Sequence, residues 1–304
     1  MSVDTTFPTA IPAAQAELAR RIARFTPTDG VHETAVPALK LIRASAPTTC
    51  TPSVYEPRLC IVAQGSKIAL LGGETYHYDP LHYLVVSVTL PMVGQVVQAT
   101  PEEPYLCLRL DVDPDLLGQL IFDSGSMAPA SLDRGLYSAR AHPTLLDAVL
   151  RLMRLLDAPA DLPVLAPLAL REIFYRVLIG ELGHRLRDLA TVDHRSHRIA
   201  RAVHLLRQRY LSPLSIDLLA SEVHMSTSSL HRQFKSVTTM SPLQFQKQLR
   251  LHEARRLMLV EGLEATSAAH RVGYESPSQF NREYKRLFGA PPRSEVERIR
   301  ATVA

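Results

Sequence analysis

Cysteine is scarce: the 304 residues contain three, Cys50, Cys60 and Cys107. Their number and uneven spacing argue against a disulfide framework or a zinc site, and a reducing cytoplasm is the expected compartment. No run of about 18 apolar residues occurs, so no transmembrane helix is expected. The opening stretch MSVDTTFPTAIPAAQAELARRIARF has no basic start followed by an apolar core, so no signal peptide is expected either. What is present is an ordinary globular composition, 46% hydrophobic and 21% charged, long enough for two domains.

Charge is unevenly divided. The formal net charge is +4. From Arg195 to Ala304 there are 18 Lys and Arg against 9 Asp and Glu, a net +9. Met1 to His194 holds the other 16 basic and 21 acidic residues, a net −5. A basic third joined to an acidic remainder suggests a polyanion-binding module attached to something else. Charge alone fits a solvated basic surface equally well.

The texture along the chain changes twice. Leu18, Ile22 and Phe25 lie on one face of a helix predicted from about Ala13 to Phe25. From about Val31 to Asp113, RLCIVAQ, KIALL, HYLVVSVTL, GQVVQAT and YLCLRLDV are short apolar runs separated by Gly65, Gly72-Gly73, Asp79-Pro80, Pro91 and Pro101. This spacing predicts an antiparallel sheet, barrel or sandwich, with hairpins at QGSK and LGGET. Helical periodicity follows in HPTLLDAVLRLMRLL and LAPLALREIFYRVLIGEL, with Pro163 as an interruption. These helices would cover a sheet or form a dimer interface. RDLATVDHRSH, Arg187 to His197, is polar and aperiodic and is the best linker. From Ile199 onward the pattern is helical. The expected class is α+β, with an N-terminal unit at about 1–186 (strands about 31–113, helices about 115–186), a linker at 187–197 and an all-α unit at 198–304.

The basic third contains a repeat. STSSLHRQFKSVTTMSP (Ser226–Pro242) and SPSQFNREYKRLFGAPP (Ser276–Pro292) match at Ser226/Ser276, Ser228/Ser278, Arg232/Arg282, Lys235/Lys285 and Pro242/Pro292. Leu230 and Phe234 become Phe280 and Tyr284. After a one-residue shift, LASEVHM also matches AAHRVGY. Each copy is predicted as short helix, tight turn, capped helix, which is the helix-turn-helix pattern. Ser226 and Ser276 are the N-caps, Pro277 opens the last helix and Gly289 ends it. Leu230, Phe234 and Val237 set the buried side of one copy, and Phe280, Tyr284 and Leu287 that of the other. Outward lie Ser228, His231, Arg232 and Lys235, then Ser278, Gln279, Asn281, Arg282 and Lys285. Arg suits guanine edges, Gln and Asn suit adenine, and Lys and Ser suit phosphates, so double-stranded DNA is the expected partner. SPLQFQKQLRLHEARRLMLVEG, between the copies, is predicted as one helix of about 18 residues, ~27 Å long. That length suits two recognition helices about one DNA turn apart, ~34 Å.

The second copy, AAHRVGYESPSQFNREYKRLFGAPP, together with MSPLQFQKQLRLHEARRLML, resembles the AraC/XylS family of bacterial transcription regulators over about Ile199 to Arg300. The resemblance implies a seven-helix domain with recognition helices at Ser226–Val237 and Ser276–Leu287. Two residues depart from it: His224 stands opposite Gly273, and Thr239 opposite Gly289. Both would then need positive φ or a different turn. Tyr55 to Val96 and Ala99 to Asp113 are similar to the N-terminal domain of one AraC-type subgroup. That similarity implies a small cupin-like β-barrel which senses an effector or helps to form a homodimer. It also implies RNA polymerase as a partner if the protein activates, and no catalytic residue or cofactor.

A cupin-like fold brings metal enzymes into consideration. His77 and Asp79 would share a strand face, and His82 or His142 would complete a 2-His-1-carboxylate site. The competing reading is a tyrosine-rich strand end and a turn, with no metal bound; a metal enzyme carrying a DNA-binding domain is the alternative function. Cys60 and Cys107 lie in apolar runs as buried hydrophobes, yet Arg58 and Arg109, two residues away, would share their faces, as electrophile or redox sensing requires. Tyr76, Tyr78, Tyr83 and Val85 alternate, to line an interior or fill it.

Overall fold

The computed structural model describes residues 10–80, 82–124, 135–181, 183 and 195–303. Among the described residues, the N-terminal half has ten strands: β1 Gly30–Glu33, β2 Leu39–Ala44, β3 Thr51–Tyr55, β4 Arg58–Gln64, β5 Ser66–Leu71, β6 Glu74–Tyr78, β7 His82–Val86, β8 Leu90–Gln98, β9 Tyr105–Asp111 and β10 Leu136–Arg140. They make two antiparallel sheets, ordered β1-β2-β9-β4-β7-β10 and β3-β8-β5-β6. The expected barrel is therefore not closed. Closure needs every edge strand paired around the ring, and here the two sheets stack as an open sandwich. The LGGET hairpin forms as expected, with Leu71 opposite Glu74 and both Gly72 (φ 57°) and Gly73 (φ 87°) left-handed. QGSK does not form a hairpin. Gly65 is where the chain crosses from one sheet to the other, and a Cβ there would lie 2.4 Å from the Gln98 carbonyl.

The six-stranded sheet is buried on both faces, which is why its strands read as continuous apolar runs instead of alternating ones. One face carries Leu59, Ile61, Tyr83, Val85, Leu106 and Leu108 against helices α1 (Ala10–Phe25), α2 (Pro114–Ser124), α3 (Pro143–Leu155) and α4 (Leu162–Ile179). Leu18 and Ile22 anchor α1 there. The other face carries Cys60, Val62, Leu84, Val86, Tyr105 and Cys107 against the second sheet. The expected alternation at Tyr76, Tyr78, Tyr83 and Val85 thus divides: Tyr78 faces between the sheets, whereas Tyr83 and Val85 face the helices. β10 lies inside the stretch expected to be all helix. Its five residues LYSAR are too few to show a period, and pairing with β7 fixes them as strand. Pro163 sits in the first turn of α4, where a missing N–H is tolerated. The predicted linker lies outside the described residues up to 194, and Arg195, Ser196 and His197 begin the next helix.

Seven helices follow: α5 Arg195–Gln208, α6 Ile216–Glu222, α7 Thr227–Thr238, α8 Pro242–Val260, α9 Ala265–Arg271, α10 Pro277–Phe288 and α11 Pro292–Val303. Leu206, Leu219, Leu230, Phe234, Val237 and Phe245 pack into a cluster continuous with the interior of the sandwich. Leu251, Leu257, Val272, Phe280, Tyr284 and Phe288 form a separate one. The join between the halves is specific. Gly135 donates its N–H to the Val237 carbonyl at 3.1 Å. Arg207 pairs with Glu56, and Arg255 donates to the Pro52 carbonyl at 3.3 Å. Gly72, on the β5–β6 turn, meets Thr239 so closely that a Cβ would lie 2.4 Å from the threonine side chain.

The second helical cluster holds a buried carboxylate. Glu295 is 1% exposed, takes 3.0 and 2.6 Å bonds from Arg255 and accepts from the Tyr284 hydroxyl at 3.0 Å. Removing only the cation strands a buried charge. Arg255→Met is expected to lower stability by about 3–5 kcal/mol, read as a lower urea midpoint. Adding Glu295→Gln should recover part of the loss, because the neutral amide leaves no unpaired charge.

Candidate nucleic-acid interface

The two helical repeats coincide at the level of single backbone bonds. In the first, Met225 N–H bonds the Ala220 carbonyl at 2.9 Å; in the second, Tyr274 N–H bonds Ala269 at 2.9 Å. His224 (φ 53°) takes the left-handed place that Gly273 (φ 85°) fills in its counterpart, and Thr239 (φ 66°) takes that of Gly289 (φ 83°). Thr239 N–H and Gly289 N–H close α7 and α10 on Lys235 and Lys285 carbonyls, both at 2.8 Å. Ser226 and Ser276 cap these helices through Ser229 and Gln279 N–H, at 3.3 Å each. Glu275 is the extra residue in the second turn. It accounts for the one-residue shift in the repeat.

Packing sets which faces look outward. Phe234 meets Phe245 edge-on at 5.4 Å beneath α7, while Phe280, Tyr284 and Phe288 stack along α10. The anchor at the end of α10 is Phe288, 9% exposed, with the expected Leu287 only half-buried. Opposite these anchors, Ser228, His231, Arg232 and Lys235 are exposed on α7, and Ser278, Asn281, Arg282 and Lys285 on α10. Gln279 is half-buried and donates to Glu283 at 3.1 Å. Glu283 also accepts from Lys247 and from the Tyr274 hydroxyl, each at 2.8 Å. Burial opposes ionisation of Glu283, but Lys247, Gln279 and Tyr274 outweigh it and hold the carboxyl below its ordinary range. Gln279 is thus committed to its own helix, unlike its neighbours.

Cations in this domain differ in what they touch. Arg209, Lys247, Arg255, Arg256 and Arg293 each pair with a carboxylate. Arg232, Lys235, Arg282 and Lys285 have no ion-pair partner among the described residues, and each is exposed on α7 or α10. Arg286 on α10 shares these properties; the KR pair at Lys285-Arg286 was its signal in the sequence. One further arginine is structural. Arg250 on α8 donates to the carbonyls of Tyr210 (2.6 Å), Leu211 (3.0 Å), Ser212 (3.2 Å) and Gly273 (3.0 Å).

In the N-terminal half, the metal candidates do not come together. His82 Nδ1 lies 2.7 Å from Asp79, His142 caps α3, and His77 is exposed on β6. Among the described residues no group of three ligand-type side chains converges. Cys60 and Cys107 share the interior face. A hydrogen bond from Cys107, then Arg58, Lys67 and Arg109, draws the Cys60 thiol down to about 7 against the effect of burial, while burial pushes Cys107 up. Arg58 and Lys67 stand over the Tyr55 ring at 5.0 and 5.7 Å.

Residues 35–185 match the family model of the AraC-type transcriptional regulator N-terminus, and residues 219–298 match a helix-turn-helix domain. The chain belongs to the AraC/XylS family of transcription regulators. The HTH-type transcriptional activator RhaS of Escherichia coli K12 is 26% identical over 193 residues, 62% of this chain and 68% of RhaS. An apo variant of ToxT from Vibrio cholerae has the same fold, with a TM-score of 0.56 at 11% identity over 87% of this chain and 98% of ToxT. A second ToxT structure, bound to an unsaturated fatty acid, gives 0.55 at 10% identity over 85% and 93%. This AraC-type regulator binds DNA through its helix-turn-helix half, and none of its described helices is long and apolar enough to cross a membrane.

The left-handed residues of the first motif carry a conformational cost that glycine avoids, roughly 1–2 kcal/mol against glycine's own ~0.5–1 kcal/mol entropy. His224→Gly is expected to raise stability by about 0.5–1 kcal/mol. Gly273→Ala should lower it, because the backbone is left-handed there and the Cβ would lie 3.2 Å from the Arg250 guanidinium. Urea midpoints of the two variants are expected to move in opposite directions.

Proposed function

We propose that α7 and α10 are the recognition helices, entering two successive major-groove segments of one operator. The observation that supports this is the set of four exposed cations without carboxylate partners among the described residues, Arg232, Lys235, Arg282 and Lys285, at matched repeat positions. Arg232 and Arg282 then read base edges, with His231 and Asn281 beside them, while Gln279 stays on Glu283. Lys235, Lys285, Ser228 and Ser278 hold phosphates. α8, 19 residues and ~28 Å long, spaces the two helices. Arg232→Ala and Arg282→Ala should each weaken specific binding by about 1–3 kcal/mol. Lys235→Ala should weaken binding to every sequence and lower the salt slope by about one. Mobility-shift titrations on the protein's own promoter region at two salt concentrations separate these effects, and unchanged affinity in both arginine variants would remove the assignment.

The N-terminal sandwich is, on this reading, the responsive half. A small effector or a second subunit that prefers one arrangement of the two halves shifts the equilibrium between them. Support for an effector comes from a fold neighbour, ToxT, solved with an unsaturated fatty acid. RNA polymerase becomes a partner if the regulator activates, as RhaS does by name. The protein works in the cytoplasm and performs no catalysis.

A homodimer through α4 completes the proposal. Val164 and Leu168 on α4 are 68% and 59% exposed, and Phe122 at the end of α2 is 87% exposed. Such a patch on a water-soluble protein marks a contact surface. Leu168→Asp should convert a dimer to a monomer in sedimentation equilibrium while leaving the urea midpoint within about 0.5 kcal/mol, as for other surface changes. A wild-type monomer at tens of micromolar would dismiss the dimer.

A further inference from the structure

We propose that the cavity at the end of α4 binds a small organic carboxylate, a monoanion with an apolar body. The proposal rests on the effector reading above and names a place and a chemistry for it. The cavity is about 620 Å³, within the range of small-molecule sites. It lies where β7 and β10 pair (Tyr83 opposite Ala139, His82 opposite Arg140), beside the start of α3 and the end of α4.

Its polar groups include three donors, Tyr83, Arg140 and Arg176, with the Glu181 carboxylate beside them. Tyr83 is 3% exposed, yet it lines the cavity and has no hydrogen-bond partner among the described residues. Burial, reinforced by Glu181, holds its hydroxyl protonated up to about 12, so at neutral pH it donates. Arg176 bonds Glu172 through one Nη at 3.3 Å, while its buried Nε has no partner. Arg140, exposed on the same wall, has no carboxylate partner among the described residues. Two guanidinium groups and a phenol suit a planar carboxylate. The remaining wall includes Leu145 and Ile179, which suit an apolar body. Glu181 also lines the cavity and disfavours a dianion such as phosphate.

The position has a consequence for signalling. Gly180 ends α4, and a Cβ there would lie 3.4 Å from the Tyr83 hydroxyl. A carboxylate held by Tyr83 and Arg140 on the sheet and by Arg176 on α4 pins the end of that helix to the sheet. Among the described residues α4 is the last helix before α5, so binding acts on the last described helix of the N-terminal half.

The test uses the full chain and calorimetric titration with phenylacetate and hexanoate, with phenylacetamide, hexanamide and hexylamine as matched controls. Both acids are expected to bind and the controls to bind at least about tenfold more weakly, since a hydrogen bond to a charged group is worth ~1.5–3 kcal/mol. Arg140→Gln should weaken the acids about tenfold, and Tyr83→Phe severalfold, with urea midpoints unchanged in both. Silence with both acids, equal binding of acid and amide, or unaltered affinity in both variants overturns the site. If a different small molecule then changes DNA affinity equally in wild type and variants, the effector reading stands without this site. If no metabolite fraction changes DNA affinity in the wild type, the effector reading itself falls.

Discussion

Arg250 and Gln246, one turn apart on α8, hold the DNA-binding half together. Gln246 donates to the Tyr210 and Ser212 carbonyls at 3.1 and 2.7 Å, and Arg250 reaches the same segment together with Gly273 in the second motif's turn. These carbonyls belong to the loop after α5 and to the turn between α9 and α10, so one helix fixes the position of both motifs. The half-buried Tyr210 carbonyl would be costly to leave without a donor, and both residues answer it from α8. Each motif taken singly is a short helix pair with little core. Anchored to a common rod, the two have a defined spacing, and spacing is what a two-segment operator requires.

Much of this was legible in the residues. The caps at Ser226 and Ser276, the turn at Gly273 and the alternation of buried and exposed positions along α7 and α10 follow from local rules that need no tertiary information. The departures were legible too: His224 and Thr239 stand where glycine stands in the other copy, and both adopt positive φ. Long-range geometry was not. Arg250 has the same sequence character as Arg232, and only the fold directs one to carbonyls and leaves the other in solvent. Gln279 reads as an adenine ligand until Glu283, four residues on, is seen to hold it.

The N-terminal half shows the opposite balance. Strands were evident in the apolar runs, but RLCIVAQ and YLCLRLD carry no alternation because both faces of their sheet are covered. Without alternation, neither sheet membership nor closure can be read, and the expected barrel became a sandwich. β10 escaped notice because five residues inside a helical stretch show no period, and its pairing with β7 is a long-range fact.

The two motifs have different surroundings. The core of the first runs without a break into the interior of the sandwich, through Val237, Gly135 and Thr239 with Gly72. The core of the second closes on itself. The sandwich therefore holds the two motifs differently: α7 through a shared apolar core, and α10 through a contact with β3, where Pro52, Glu283 and Leu287 line one open cleft. On the proposed reading, both segments of the operator would answer to the state of the N-terminal half, one through a packed core and the other across a looser seam.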